Sequence, residues 1–280
     1  MAITADHEPA ARRLALLTEY DGSCFNGWQA QARGRTVQQT LLQALQKLTG
    51  EAGLVLHGCS RTDAGVHARG HVSHFQTRCR IPAERLPMAL NFHLPDDLVV
   101  RGACEIDDDL HTQHHALGKI YSYRIWQQRS RPAILRQQAG HVIGALDLDL
   151  LREAMPFLLG QHDFRAFMDI GSRDRSTIRT IQSLSLEVDD PLLILRVQGN
   201  GFLYHMVRIL VGTLVLVAQG KIRPDSIPDI LASRDRKQAG KTMPPQGLCL
   251  EQVLYDPPLF AEFFANNSKE GDDYVQFTLG

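Results

Sequence analysis

The most apolar stretch of the chain, Gly201 to Gly220, is interrupted by His205 and Arg208. Only 12 uncharged residues separate Arg208 from Lys221, too short a run to span a bilayer. The segment 202–218 therefore predicts an apolar helix in a soluble core, with a guanidinium part-way along it. A charge left unpaired there is costly. Arg208 must either meet a carboxylate or carry its head to the surface on its apolar stem.

A chain of 280 residues that is 44% hydrophobic has ample material for such a core. With 22% charged residues and a net charge of −1, it is not a disordered chain. LALLTEY (14–20), Leu54–His57 and His71–Gln76 read as strands. Thr36 opens a helix as a capping box with Gln39; Val37, Leu41, Ala44, Leu45 and Leu48 recur at helical spacing, and Gly50 stops it. A second helix runs from near Pro82 to before Asn91, followed by a strand and an acidic turn within 97–111. GKIYSYRIWQ (118–127) alternates strongly. Asp147 caps a helix through Leu148, Leu151, Met155 and Leu158, in which Pro156 forces a kink or an early end. Arg179–Val188 and Leu192–Gly199 form a hairpin; after the apolar helix come a short helix near 226–233 and a last strand at 247–255. Strands grouped between helices, without strict βαβα alternation, predict an α+β fold with a mostly antiparallel sheet. From Ala265 the chain turns polar and acidic, as a loosely held tail would.

Five cysteines (24, 59, 79, 104 and 249) are scattered, with no CxxC, so buried reduced thiols are expected rather than disulfides or a zinc site. The opening MAITADHEPAARR has neither a signal-peptide core nor a transit-peptide pattern, and a cytoplasmic location is expected. There is no P-loop and no GxGxxG after a strand, so nucleotide-cofactor chemistry has no support, and GxSxG is absent as well.

The densest polar segment is CSRTDAGVHARGHVSHF (59–75), with Arg61, Asp63, Gly65, His67 and Arg69 inside nine residues. Gly65 permits a tight turn that would present Asp63. Arg61 and Asp63 either cap that turn or work in a site. A carboxylate that acts as a nucleophile must be ionised, and desolvation opposes this, so it needs a nearby cation. Arg208 is a candidate. A rival reading makes Asp63, His67, His71 and His74 a metal-hydrolase site, but HExxH is absent and His71 and His74 would face opposite sides of a strand. HTQHH (111–115) is similarly unspecific.

CSRTDAGVHARGHVSHF closely resembles the signature of the bacterial tRNA pseudouridine synthases of the TruA type. YDGSCFNGWQAQ (20–31), ALNFHLPDDLVV (89–100), GKIYSYRI (118–125), GQHDFRAF (160–167), GNGFLYHMVRILVGTL (199–214) and MPPQGLCLEQV (243–253) resemble further family segments in the same order. The resemblance implies Asp63 as the catalytic aspartate of a reaction that breaks the uridine N1–C1′ bond and rejoins the base through C5. It implies Arg208 paired with Asp63 and Tyr121 stacked on the flipped base, assisting removal of the C5 proton. Arg61 would prop the duplex once the target base has left the stack, and Leu248 would line the pocket. It implies no metal and no other cofactor. It further implies two similar α/β halves with sheets joined across a central RNA-binding cleft, divided as a tail (1–13), halves 14–115 and 116–260, and an acidic tail (261–280). The partner would be tRNA, at uridines 38–40 of the anticodon stem-loop, bound by a homodimer with no membrane association. The chain departs from the family pattern in the loop MDIGSRDRSTIRTI (168–181), in His71, where glutamine is common, and in Pro156. A non-catalytic RNA-binding module on the same scaffold is the alternative, against which the intact Asp63, Tyr121 and Arg208 stand.

The mean charge hides its distribution. Residues 91–115 carry six acids against Arg101, and 261–280 carry four against Lys269. The stretch 119–136 carries five basic residues and no acid, and 61–80 carries four arginines against Asp63. Arg69 and Lys119, in these basic stretches, are expected to bind substrate, where phosphates need neutralising.

Overall fold

Gly118–Gln127 (β5) forms a strand whose alternation buries Tyr121, Tyr123 and Ile125. In the computed structural model, which describes residues 10–171, 176–265 and 274–278, this strand lies near the middle of one large sheet. The other strands are Arg12–Tyr20 (β1), His57–Gly58 (β2), His67–Thr77 (β3), Leu98–Glu105 (β4), Gly140–Val142 (β6), Gly160–Asp163 (β7), Ile178–Asp189 (β8), Leu192–Gly199 (β9), Leu248–Leu254 (β10) and Tyr274–Thr278 (β11). Their order is β11-β8-β9-β5-β10-β3-β1-β4, with β2 paired to β3, β6 to β5 and β7 to β8. Pairing is antiparallel except at β10–β3 and β5–β6. The fold is α+β with a mostly antiparallel sheet, as the grouping of strands indicates. Strands from the first 115 residues occupy one end and β5, β8 and β9 the other, while β10 lies between them.

Helix Val37–Thr49 (α1) starts where Thr36 Oγ1 accepts the Gln39 N–H at 3.4 Å and ends at Gly50 in the left-handed region. Helix Leu86–Asn91 (α2) packs on β4 and on α1. Asp147 caps Leu148–Ala154 (α3), which tightens into a 3₁₀ turn at Met155–Leu158, the early end that Pro156 imposes. Met206–Ala218 (α4) is buried on nearly every side. Val207, Leu210, Val211 and Leu214 set it against Leu184 of β8 and Leu195 and Val197 of β9. Ile227–Ser233 (α5) and Ala261–Ala265 (α6) complete the helices of the described residues, none of which is long and apolar enough to cross a membrane.

Four expectations need correction. Leu54–His57 is not a laddered strand: Leu54 and Leu56 enter the core and Val55 faces out, but only His57–Gly58 pairs, and the Leu56 carbonyl instead accepts from Gln38 Nε2 at 2.8 Å. The apolar helix begins at Met206 rather than 202, because Phe202–His205 wraps the cavity described below. Sheet pairing begins at Arg12, inside the segment read as a tail. At the other end Tyr274–Thr278 pairs with β8, so β10 is not the last strand and the tail contributes to the sheet. The remainder of both expected tails, 1–9, 266–273 and 279–280, lies outside the described residues.

His71 and His74 of β3 are buried. Burial first, then Lys119, lowers His71 to about 3 against the pull of its bond to the Ser60 carbonyl. Burial, then His111, His57 and Arg13, lowers His74 to about 4. In the unfolded chain both titrate near ~6.5, so below that pH the unfolded chain takes up protons that the folded chain refuses. Stability is full above ~6.5 and falls as pH drops toward ~4. Thermal unfolding from pH 7 to pH 4 should show Tm declining across this window, and His71→Gln should flatten the decline; an unchanged slope in that variant would contradict a buried neutral imidazole.

Candidate active site

Asp63 opens a tight turn: the Val66 N–H donates to its carbonyl at 3.2 Å, with Gly65 at φ 80°, which the turn requires at that position. The loop is fixed from behind. Tyr20 Oη and Thr62 Oγ1 lie 2.8 Å apart, and the Trp28 N–H donates to the Thr62 carbonyl at 3.1 Å. Of the two outcomes open to Arg208, the structure shows the first. Its Nη1 donates to Asp63 Oδ2 at 3.2 Å and its Nε to the Met243 carbonyl at 2.6 Å. Arg208 lies in the first turn of α4, where the helix dipole disfavours a cation, so the carboxylate offsets both that and burial.

Asp63 lines a cavity of about 550 Å³ together with Arg61, Lys119, Tyr121 and Leu248. Tyr121 is buried, its hydroxyl 3.2 Å from Ser60 Oγ and its ring edge-on to Phe202. Burial pushes the phenol well above its usual range, against the Ser60 bond, so it is neutral at physiological pH. Burial also lowers Lys119, with Arg179 adding to the effect and Cys59 opposing it. Arg61 is exposed at the rim. Arg69 does not line the cavity; its Nη1 lies 3.8 Å from Glu251. The loop carrying the exposed Arg129, Arg131 and Arg136 docks beside the Asp63 turn, the Gln137 carbonyl lying 2.7 Å from His67 Nε2.

The histidines of the metal-hydrolase reading diverge. His71 stacks on Trp28 at 3.6 Å, His74 stacks on His57 at 4.9 Å, and His67 Nδ1 accepts the Gly22 N–H at 3.1 Å. Among the described residues no group of three or more His, Cys, Asp or Glu is arranged to hold a metal ion.

Sequence reasoning passed over two residues. His205 was an interruption in an apolar run and Asp169 part of a divergent loop, of which 172–175 lie outside the described residues. His205 Nδ1 lies 2.7 Å from Asp169 Oδ2 and its Nε2 lies 3.5 Å from Asp63 Oδ2. The signal available was a second polar residue, three before Arg208, in the same apolar stretch.

A family model described as tRNA pseudouridine synthase matches residues 16–114 and 154–256, well over half of the chain. The tRNA pseudouridine synthase A of Acetivibrio thermocellus is 46% identical over 244 residues, covering 87% of this chain and 100% of the relative. That of a Thermoanaerobacter species (strain X514) is 44% identical, and the tRNA pseudouridine synthase A 2 of Clostridium perfringens 41% identical, both over the same shares. The chain belongs to the tRNA pseudouridine synthase family. The family isomerises uridine to pseudouridine in tRNA, and the chain is an isomerase of that kind. A match to a chain of a solved Cbf5–Nop10–Gar1 complex covers 93% of this chain and 62% of that chain at 13% identity and a TM-score of 0.38.

In this synthase a strap from Arg236 to Met243 crosses α4 and holds the back of the site. A Cβ on Gly212 would lie 1.9 Å from the Lys241 carbonyl oxygen, so the strap can approach only a glycine. Gly212→Ala gains ~1 kcal/mol of helix propensity but overpacks against backbone, at a cost at the upper end of ~1–3 kcal/mol. Denaturant titration should therefore show a net loss of ~2 kcal/mol; a stabilised variant would contradict this packing.

Proposed function

We propose that the chain converts uridine to pseudouridine at positions 38–40 of the tRNA anticodon stem-loop, with Asp63 as the nucleophile. The observation that carries this is the Asp63–Arg208 pair on the wall of a nucleoside-sized cavity. Asp63 attacks the base at C6 or the ribose at C1′. The N1–C1′ bond breaks, the base turns, and a C5–C1′ bond forms; the bond from Asp63 to C6 or C1′ breaks and frees the carboxylate, the C5 proton leaves to solvent and N1 gains one. Nothing in that balance calls for a redox group or an activated phosphate. Tyr121, neutral and buried beside Ser60, presents a ring against which the flipped base stacks and a hydroxyl that assists loss of the C5 proton. Leu248 supplies an apolar wall. Arg61 at the rim takes the place of the extruded base, which offsets part of the unstacking cost. Lys119 and the arginines of 129–136 neutralise phosphates, with Arg69 further along β3. The working form is a homodimer in the cytoplasm, one tRNA touching both subunits.

Release of tritium from C5-labelled uridine in tRNA tests this reading. Asp63→Ala should release none above background, and release at the wild-type rate would sink the assignment. Arg208→Met leaves Asp63 without its cation and should slow turnover by ~10²-fold or more while tRNA affinity stays within a few-fold. Unchanged turnover would refute the role of the pair. Binding of tRNA should weaken linearly in a plot of log K against log salt; a flat response would rule out a phosphate-binding basic face.

A further inference from the structure

Two groups reach the carboxylate of Asp63, and both fall on the same oxygen. Arg208 Nη1 is 3.2 Å from Oδ2 and His205 Nε2 is 3.5 Å from it. Among the described residues no polar contact falls on Oδ1. His205 is not placed there cheaply. It stands at φ 62°, ψ 5°, left-handed backbone that few residues other than glycine adopt, at the N-cap of α4. Its ring is clamped on two further sides: stacked on Tyr204 at 3.7 Å, and joined through Nδ1 to Asp169 Oδ2 at 2.7 Å.

Asp169 is itself held rigidly. Arg236 Nε donates to its Oδ1 at 2.7 Å and Thr242 Oγ1 to its Oδ2 at 2.8 Å. Burial pushes this carboxyl up, but the bonds from His205, Arg236 and Thr242 outweigh that and hold it at about 2. An ionised Asp169 accepts the Nδ1 proton of the imidazole, so Nε2 is the edge turned to Asp63. Nε2 donates to Oδ2 when it too carries a proton, since a ring with its only proton on Nδ1 would turn a lone pair to the carboxylate. The strap that positions Asp169 through Arg236 and Thr242 also offers the Met243 carbonyl to Arg208, so one segment fixes both holds on Asp63.

We propose that His205, steadied by Asp169, is a positioning residue for the nucleophile: its Nε2 edge and Arg208 together pin Oδ2 of Asp63, and Oδ1 is the oxygen presented to the uridine. This rests on the reading of Asp63 as nucleophile. His205 acts through Asp63, so its loss should appear in the chemical step and not in tRNA capture.

The backbone supplies the means of testing it, because glycine suits this conformation and His205→Gly removes the ring without threatening the fold. Single-turnover pseudouridine formation and tRNA affinity would be measured for wild type, His205→Gly, His205→Gln and Asp63→Asn. His205→Gly should still unfold cooperatively, keep the tRNA Kd within ~2-fold, and slow the chemical step ~10- to 100-fold. Added imidazole, or the amide donor of His205→Gln, should restore part of that loss. A His205→Gly rate within ~2-fold of wild type would overturn the proposal, given the size expected of such second contacts. So would a loss in affinity alone, or a slowed step that neither imidazole nor glutamine restores. Asp63→Asn separates the two levels: if it is active, the nucleophile reading falls; if it is inactive while His205→Gly is unimpaired, only the role of His205 falls.

Discussion

A guanidinium in the first turn of a helix buried on nearly every side is the constraint around which this molecule is arranged. It needs a carboxylate, and the one it finds, Asp63, is 145 residues distant in sequence. Meeting that need brings the loop before β3 against α4 and places a cleft between them. The Met243 carbonyl satisfies Arg208 Nε, which draws the strap across α4 at Gly212. Removing either charge alone would leave the other partly buried without a counter-ion, a far larger disturbance than removing both.

Polar partners run in a chain from the cavity: Asp63 meets Arg208 and His205, His205 meets Asp169, and Asp169 meets Arg236. A chain of this kind leaves none of these partly buried groups without a partner. The surface follows another logic. Acids of the segment 91–115 are partly spent on arginines of the first half, Glu105 on Arg12 and Asp97 on Arg35. The arginines of 129–136 stay exposed beside the Asp63 turn. A net charge of −1 is therefore compatible with a face suited to a polyanion.

What the sequence made legible was local. The alternation of GKIYSYRIWQ, the cap at Asp147, the break at Pro156 and the glycine turn after Asp63 all follow from chemistry within a few residues. The ion pair could be reasoned from the cost of burying Arg208 together with the need of Asp63 for a nearby cation. What stayed hidden depends on packing between distant segments. Phe202 and Leu203 continue the apolar character of the helix they precede, so the pattern extends the helix through them, yet the segment lines the cavity instead. Leu54 and Leu56 alternate like a strand because the core needs them, while their backbone finds side-chain partners instead of a ladder. Asp169 and the strap carry no local mark at all.

The position of β10 bears on how the molecule comes into being. It lies between β5 and β3, pairing antiparallel with one and parallel with the other, yet it begins only at Leu248. A chain leaving the ribosome can pair β1 with β3 and β4, and β5 with β9, well before this strand emerges. Until it inserts, each of those sheets has an open inner edge, and the Leu248 wall of the cavity is missing. The interior strand that unites the sheet thus follows both of its neighbours in sequence, and a nascent chain holding both Asp63 and Arg208 still lacks the strand that joins their two ends of the sheet.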